Sequence, residues 1–246
     1  MKTLWAYHLI HQVDDTAHFK VDAPKGCHEW PFAILTKTNW SKNVKSMPQC
    51  PDQILLGSGD WKNCILVHLA NYLEMWITQN QNIQHLFTNT DSDNGPINVK
   101  QQYRNQIEWT VWRNAEFKAL EDETEPHNGL GTHSERKFVK DKADKLGIDE
   151  GWIEYRGRWV GDCNKKVVCK HYISMENKYK DAYVCAALCD GGTIKYEPKE
   201  GLVITDEFLF SEVVPNIWWR KQTDNRFCRV MGLARLWSVF DEDASE

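Results

Sequence analysis

No stretch of the 246-residue chain approaches the roughly 20 consecutive apolar residues of a membrane-spanning helix. The start, Met1-Lys2-Thr3-Leu4-Trp5, lacks the basic and then apolar pattern of a secretory leader. There is no internal repeat, which sets aside solenoids and propellers. The eight cysteines include no Cys-x-x-Cys pair, so neither a zinc ribbon nor a thioredoxin-like redox motif is indicated. No arginine occurs before Arg104. Strong positive charge is also missing. The net charge is −5, which at first argues against a nucleic-acid partner. The acidic excess is local, however. Glu121, Asp122, Glu123 and Glu125 form one cluster, and Asp241, Glu242, Asp243 and Glu246 form the tail. Without those eight charges the balance would be +3.

What is present fits a globular chain with a sizeable core: 41% hydrophobic and 26% charged residues. Apolar spacing predicts helices over 2–19, 63–79, 101–120, 182–188 and 227–240. Two short strands are expected, Phe32 to Thr38 and Gln53 to Gly57, with Gly57-Ser58-Gly59-Asp60 as a turn. Mostly helical elements with a small antiparallel β-sheet make the expected class α+β. The chain begins inside its first predicted helix, so upstream sequence is expected to be missing.

The most informative stretch is Gly129-Leu130-Gly131-Thr132-His133-Ser134-Glu135-Arg136-Lys137. Thr132 and Glu135 are spaced as a capping box, predicting a helix from Thr132 to about Leu146, stopped by Gly147. His133 and Arg136 then share one face at a helix end whose N–H groups and dipole favour an anion. Such a pair can form a phosphate site; an ordinary capped surface helix has the same pattern. Cys185 and Cys189, four apart on a predicted helix, could hold a metal with His171, but buried free thiols in a reducing compartment are the expected reading.

Five features follow in order: a leading helix, Lys37 at a strand end, His133-x-x-Arg136, Gly157-Arg158-Trp159, and Tyr172. A run from Lys180 to Tyr196, KDAYVCAALCDGGTIKY, comes next. Together they resemble the catalytic domain of tyrosine recombinases (the phage-integrase group), and within it the Crypton-like recombinases of eukaryotic mobile elements. Members of that kind carry a GTHSxRK stretch, RGRW, a Tyr, and a PDAKVAxxLCxGGxxKY-like run. The resemblance covers about residues 4–196. It implies a recombinase catalytic domain over 1–196, without the family's N-terminal DNA-clamping domain, and a C-terminal extension with an acidic tail over 197–246.

The resemblance also implies roles. Tyr172 would attack a DNA phosphodiester and form a 3′-phosphotyrosyl bond, conserving bond energy for rejoining. Arg136 would clamp the non-bridging oxygens and His133 would bond the phosphate or assist proton transfer. Lys37 would protonate the leaving 5′-oxygen, and Trp159 would supply its indole N–H. Lys137, Arg158, Lys165 and Lys166 would contact the DNA backbone. The activity implied is DNA recombination or integration on double-stranded DNA, with an oligomer formed at synapsis, no cofactor or metal, no membrane, and a nuclear location. One position departs from the pattern. Gln12 stands where the family has its first catalytic Arg, and glutamine brings neither charge nor a bidentate fork. Weak or absent cleavage is therefore expected. A DNA-binding remnant and a protein-interaction module using exposed Trp residues are the competing readings.

Overall fold

The computed structural model describes residues 2–10, 16, 18–37, 52–79, 84–87, 134–157, 175–198 and 200–240. Among them the chain is α+β, as expected: helices around a small antiparallel sheet. The elements are α1 (Lys2–Leu9), β1 (Lys25–Gly26), β2 (Ile34–Thr36), β3 (Gln53–Leu55), β4 (Gly57–Ser58) and α2 (Ile65–Gln79). Next come α3 (Ser134–Lys145), α4 (Glu150–Gly157), α5 (Met175–Leu188) and β5 (Thr193–Ile194). The last are α6 (Asp206–Phe208), a π-turn (Leu209–Val213), α7 (Pro215–Arg220) and α8 (Asn225–Phe240).

The largest core is built on α2. Its Ile65, Leu66, Leu69, Leu73 and Ile77 are buried at helical spacing and meet Phe227, Met231 and Ala234 of α8. Trp5 of α1 joins the same core, packed edge-on against Phe19 at 4.9 Å. Buried Glu74 of α2 accepts from the N–H groups of Asn216 and Ile217 (3.1 Å each). A carboxylate there satisfies donors that the start of α7 leaves open. Asp224 performs the same service for α8 through the Phe227 N–H (2.9 Å). Its other oxygen takes the Gly26 N–H (2.9 Å), fastening β1 to that helix. Residues after Tyr196 thus share one core with α1 and α2.

β1, β2 and β3 form one antiparallel sheet in the order β1-β2-β3, with Ile34 opposite Leu55 and Thr36 opposite Gln53. Two expectations change. The predicted turn at Gly57 is instead strand β4, paired with β5. The backbone makes this closeness possible: a Cβ on Gly59 would lie 2.5 Å from the Gly191 carbonyl oxygen. The first helix ends at Leu9, where Ile10 adopts φ 54° and buries its side chain in a second core with Val139, Ile153 and Val184. α3 ends beside Gly147, at φ 70°, as expected of a left-handed helix stop.

Candidate functional site

One end of the three-stranded sheet collects the ends of several other elements. Gln53, buried at the start of β3, donates through Nε2 to the carbonyls of Leu9 (3.3 Å) and Arg156 (2.7 Å). Those carbonyls belong to the last turns of α1 and α4. Arg136, in the first turn of α3, donates through Nη2 to the carbonyl of Gly157 at 3.4 Å. The ends of α1 and α4 therefore meet at one buried amide, the end of β2 pairs beside it at Thr36, and the start of α3 reaches the end of α4. Each element ends or begins within three residues, in sequence, of a residue singled out above. Lys37 follows Thr36, Gln12 follows α1 by three residues, Arg158 and Trp159 follow Gly157, and His133 precedes Ser134.

Of the expected site residues, Lys37, Arg136 and Lys137 are described. Lys37 is half-buried at the end of β2, Arg136 is half-buried, and Lys137 is exposed. His133, Trp159, Tyr172, Gln12, Arg158, Lys165, Lys166 and also His171 lie outside the described residues. α5 begins three residues after Tyr172, and one turn in, Lys178 pairs with Glu29 of the β1–β2 loop at 2.6 Å. The hydrogen bond from that ammonium holds the Glu29 carboxyl down at about 2.

The strongest polar cluster was not foreseen. Arg156 of α4 is completely buried and fully engaged. Its Nη1 meets Asp181 Oδ1 at 2.7 Å, Nε donates to the His8 carbonyl at 2.7 Å, and Nη2 donates to the Ile54 carbonyl at 2.9 Å. Asp181 Oδ2 in turn accepts the Ile54 N–H at 2.6 Å. Burial pushes the Asp181 carboxyl above its ordinary range, with Arg156 and the Ile54 N–H opposing it. A planar five-donor fork can tie α1, β3, α4 and α5 at one point; an ammonium could not. In the Arg156-Gly157-Arg158 stretch the first arginine thus serves the interior. Nothing in hydrophobic periodicity marks an arginine that faces inward.

A second buried cluster comprises His8, Cys185 and Cys189, whose ligand-type atoms all lie within 4.8 Å of one another. Among the described residues the histidine that joins the two thiols is His8. Cys27, Cys64 and Cys228 are also buried and free. The hydrogen bond from Cys189 holds the Cys185 thiol well below its ordinary range, helped by the Arg156 charge.

Fold and site together define the class: an α+β chain in which a small sheet presents one end to converging helix termini. Comparison with family models, with curated proteins and with solved structures finds no match for this chain. No described helix is long and apolar enough to cross a membrane.

Proposed function

We propose that this chain is a tyrosine-recombinase-type domain that breaks and rejoins DNA strands, with activity weakened by glutamine at position 12. The reading rests on the ordered residues Lys37, His133, Arg136, Trp159 and Tyr172. The observation that carries it furthest is the gathering of the ends of α1 and α4 at Gln53, with the end of β2 paired beside it and the start of α3 bonded to the end of α4. Arg136 belongs to one of those elements, and positions 12, 37, 133 and 158–159 lie within three residues of their ends in sequence.

In the reaction, the Tyr172 hydroxyl attacks phosphorus and loses its proton, assisted by His133. A phosphorus–oxygen bond to the tyrosine forms as the bond to the 5′-oxygen breaks, and Lys37 protonates that leaving oxygen. Arg136 and the Trp159 N–H offset the extra charge on the non-bridging oxygens without having to reorganise. Attack by the freed 5′-hydroxyl of another strand reverses these steps and restores Tyr172. A favourable specific observation also supports the non-catalytic DNA-binding reading: no arginine is present in the first 103 residues to stand in for the family's first one. Loss of one such donor commonly costs about 3–4 kcal/mol, on the order of a hundredfold to a thousandfold in rate.

The test uses a pool of nicked suicide duplexes with randomised half-sites, incubated with the native chain, Tyr172→Phe and Gln12→Arg. A DNA adduct that survives denaturation, stronger in Gln12→Arg and absent in Tyr172→Phe, is expected. Salt-sensitive duplex binding with no adduct from any version would leave the DNA-binding remnant. No binding at any salt concentration would refute both.

A further inference from the structure

We propose that His8, Cys185 and Cys189 form a zinc site that fastens α1 to α5. This goes beyond the DNA reading and does not depend on it.

The donor set is built rather than incidental. Asp181, Cys185 and Cys189 are spaced four apart, so they form one stripe along α5 and its C-terminal edge. Asp181 takes the Ile54 N–H, while the Cys189 thiol sits beside the Leu56 carbonyl at 3.9 Å, so the stripe faces the β3 side. His8 enters from α1 and is 1% exposed. Its Nε2 donates to the Asn63 carbonyl at 3.3 Å. Nδ1 is buried without a hydrogen-bond partner, free to face a ligand. An orphaned buried imidazole nitrogen is destabilising unless something occupies it. The backbone of the same histidine is clamped by Arg156 Nε. A ligand whose other ring nitrogen bonds a carbonyl is the usual outer-shell arrangement of a metal-bound histidine.

The ligand atoms already lie within 4.8 Å of one another. Zinc–sulfur bonds of about 2.3 Å and a zinc–nitrogen bond of about 2.0 Å at tetrahedral angles need separations of about 3.5–3.8 Å. Binding would therefore require side-chain rotations that draw the three ligand atoms closer together. The chemistry selects the ion. Two thiolates and an imidazole are soft and borderline donors, which excludes calcium and magnesium. Two thiolates also neutralise a divalent cation, so the filled site carries no net charge into a dry core. Binding releases two protons, one from each thiol, and involves no oxidant or reductant. Three protein ligands leave the fourth tetrahedral position to a small ligand such as water.

The full chain, purified with reductant and without chelator, would be assayed for metal content, then stripped and titrated with cobalt(II) and zinc. One equivalent of zinc and a thiolate-to-cobalt charge-transfer band are expected. Cys185→Ser, Cys189→Ser and His8→Gln should each weaken zinc binding about a hundredfold or more, whereas Cys228→Ser should not. Should the cysteine variants fail to fold, the native chain still gives the answer: zinc should raise its melting temperature and a chelator should reverse the rise. A folded, reduced native chain with no zinc and no cobalt band would overturn the proposal. So would zinc retained in all three variants, or a Cys185–Cys189 disulfide in the purified chain.

Discussion

Replacing Arg156 by methionine should nearly unfold the protein, although the residue lies in a basic stretch that looks suited to DNA. Methionine retains much of the volume but removes every donor. Asp181, 1% exposed, would keep its charge with no cation beside it, a loss of about 3–5 kcal/mol. The carbonyls of His8 and Ile54 would lose partners at 2.7 and 2.9 Å, each costing up to about 1–3 kcal/mol where water cannot enter. These losses overlap as the site relaxes, so a total of about 4–6 kcal/mol is expected. That is a large part of the roughly 5–15 kcal/mol by which folded domains are stable. Denaturant unfolding followed by tryptophan fluorescence measures it. Two further arms sharpen the assignment. Adding Asp181→Leu to Arg156→Met should recover at least about 2 kcal/mol relative to the sum of the single changes. The methionine variant should also be least defective in acid. An unpaired buried carboxyl has a folded pKa raised above its unfolded value, so the folded state takes up a proton as pH falls and the penalty shrinks. A loss under about 1.5 kcal/mol, or one that does not change with pH, would refute the account of Arg156 as the buried tie.

Other outcomes follow from the same geometry. Arg136→Ala should cost about 1 kcal/mol or less in stability, because the side chain is half-buried and its 3.4 Å bond to Gly157 is long, yet remove about 99% or more of any DNA adduct. A matched loss of stability and adduct would make Arg136 merely structural. The Glu29 carboxyl, followed by NMR, should titrate at about 2, and Lys178→Ala should raise it toward the ordinary carboxylate range, with the Cys27 thiol and a backbone N–H still holding it partly down. Its stabilising effect is present above the unfolded value and lost as pH falls through about 2. Being near the surface, it is worth under about 1 kcal/mol. Gly59→Ala should destabilise by about 1–3 kcal/mol, since the new Cβ would meet the Gly191 carbonyl at 2.5 Å. Equal unfolding midpoints for Gly59→Ala and the native chain would show that the β4–β5 pairing yields at no cost.

The elements legible in the sequence are those whose buried face is apolar. α2 and α8 follow helical spacing because leucine, isoleucine and phenylalanine line their inner sides. β2 and β3 were short apolar runs between turn residues. The illegible elements bury polar side chains or pair over long distances. α4 turns Arg156 inward, and the first half of α5 presents Asp181, so neither segment shows a sufficient apolar stripe. β4 consists of Gly57 and Ser58, which read locally as a turn, and its partner lies about 135 residues away. Trp218 stacks on Phe210 at 4.4 Å, while Trp219 is exposed. The candidate site was legible as residue types and order. The role of Gln53 was not, because a strand-initial glutamine has no signature distinguishing a buried tie from a solvated side chain.

The tie at Gln53 bears on whether an ancestral activity can be restored by one change. An arginine added at position 12 contributes to a charged transition state only if its backbone is already held; a donor that must be ordered during the reaction loses much of its benefit to entropy. The nearby chain meets that condition on three counts. The Leu9 carbonyl is held by Gln53, the His8 carbonyl by Arg156, and Ile10 is buried with a fixed left-handed backbone. A zinc ion on His8 would add a fourth. Gln12→Arg should therefore raise adduct formation by about a hundredfold in the intact chain and by much less in Gln53→Ala, which frees the ends of α1 and α4 together. If Gln12→Arg rescued both backgrounds equally, the anchored end of α1 would have no part in placing that donor.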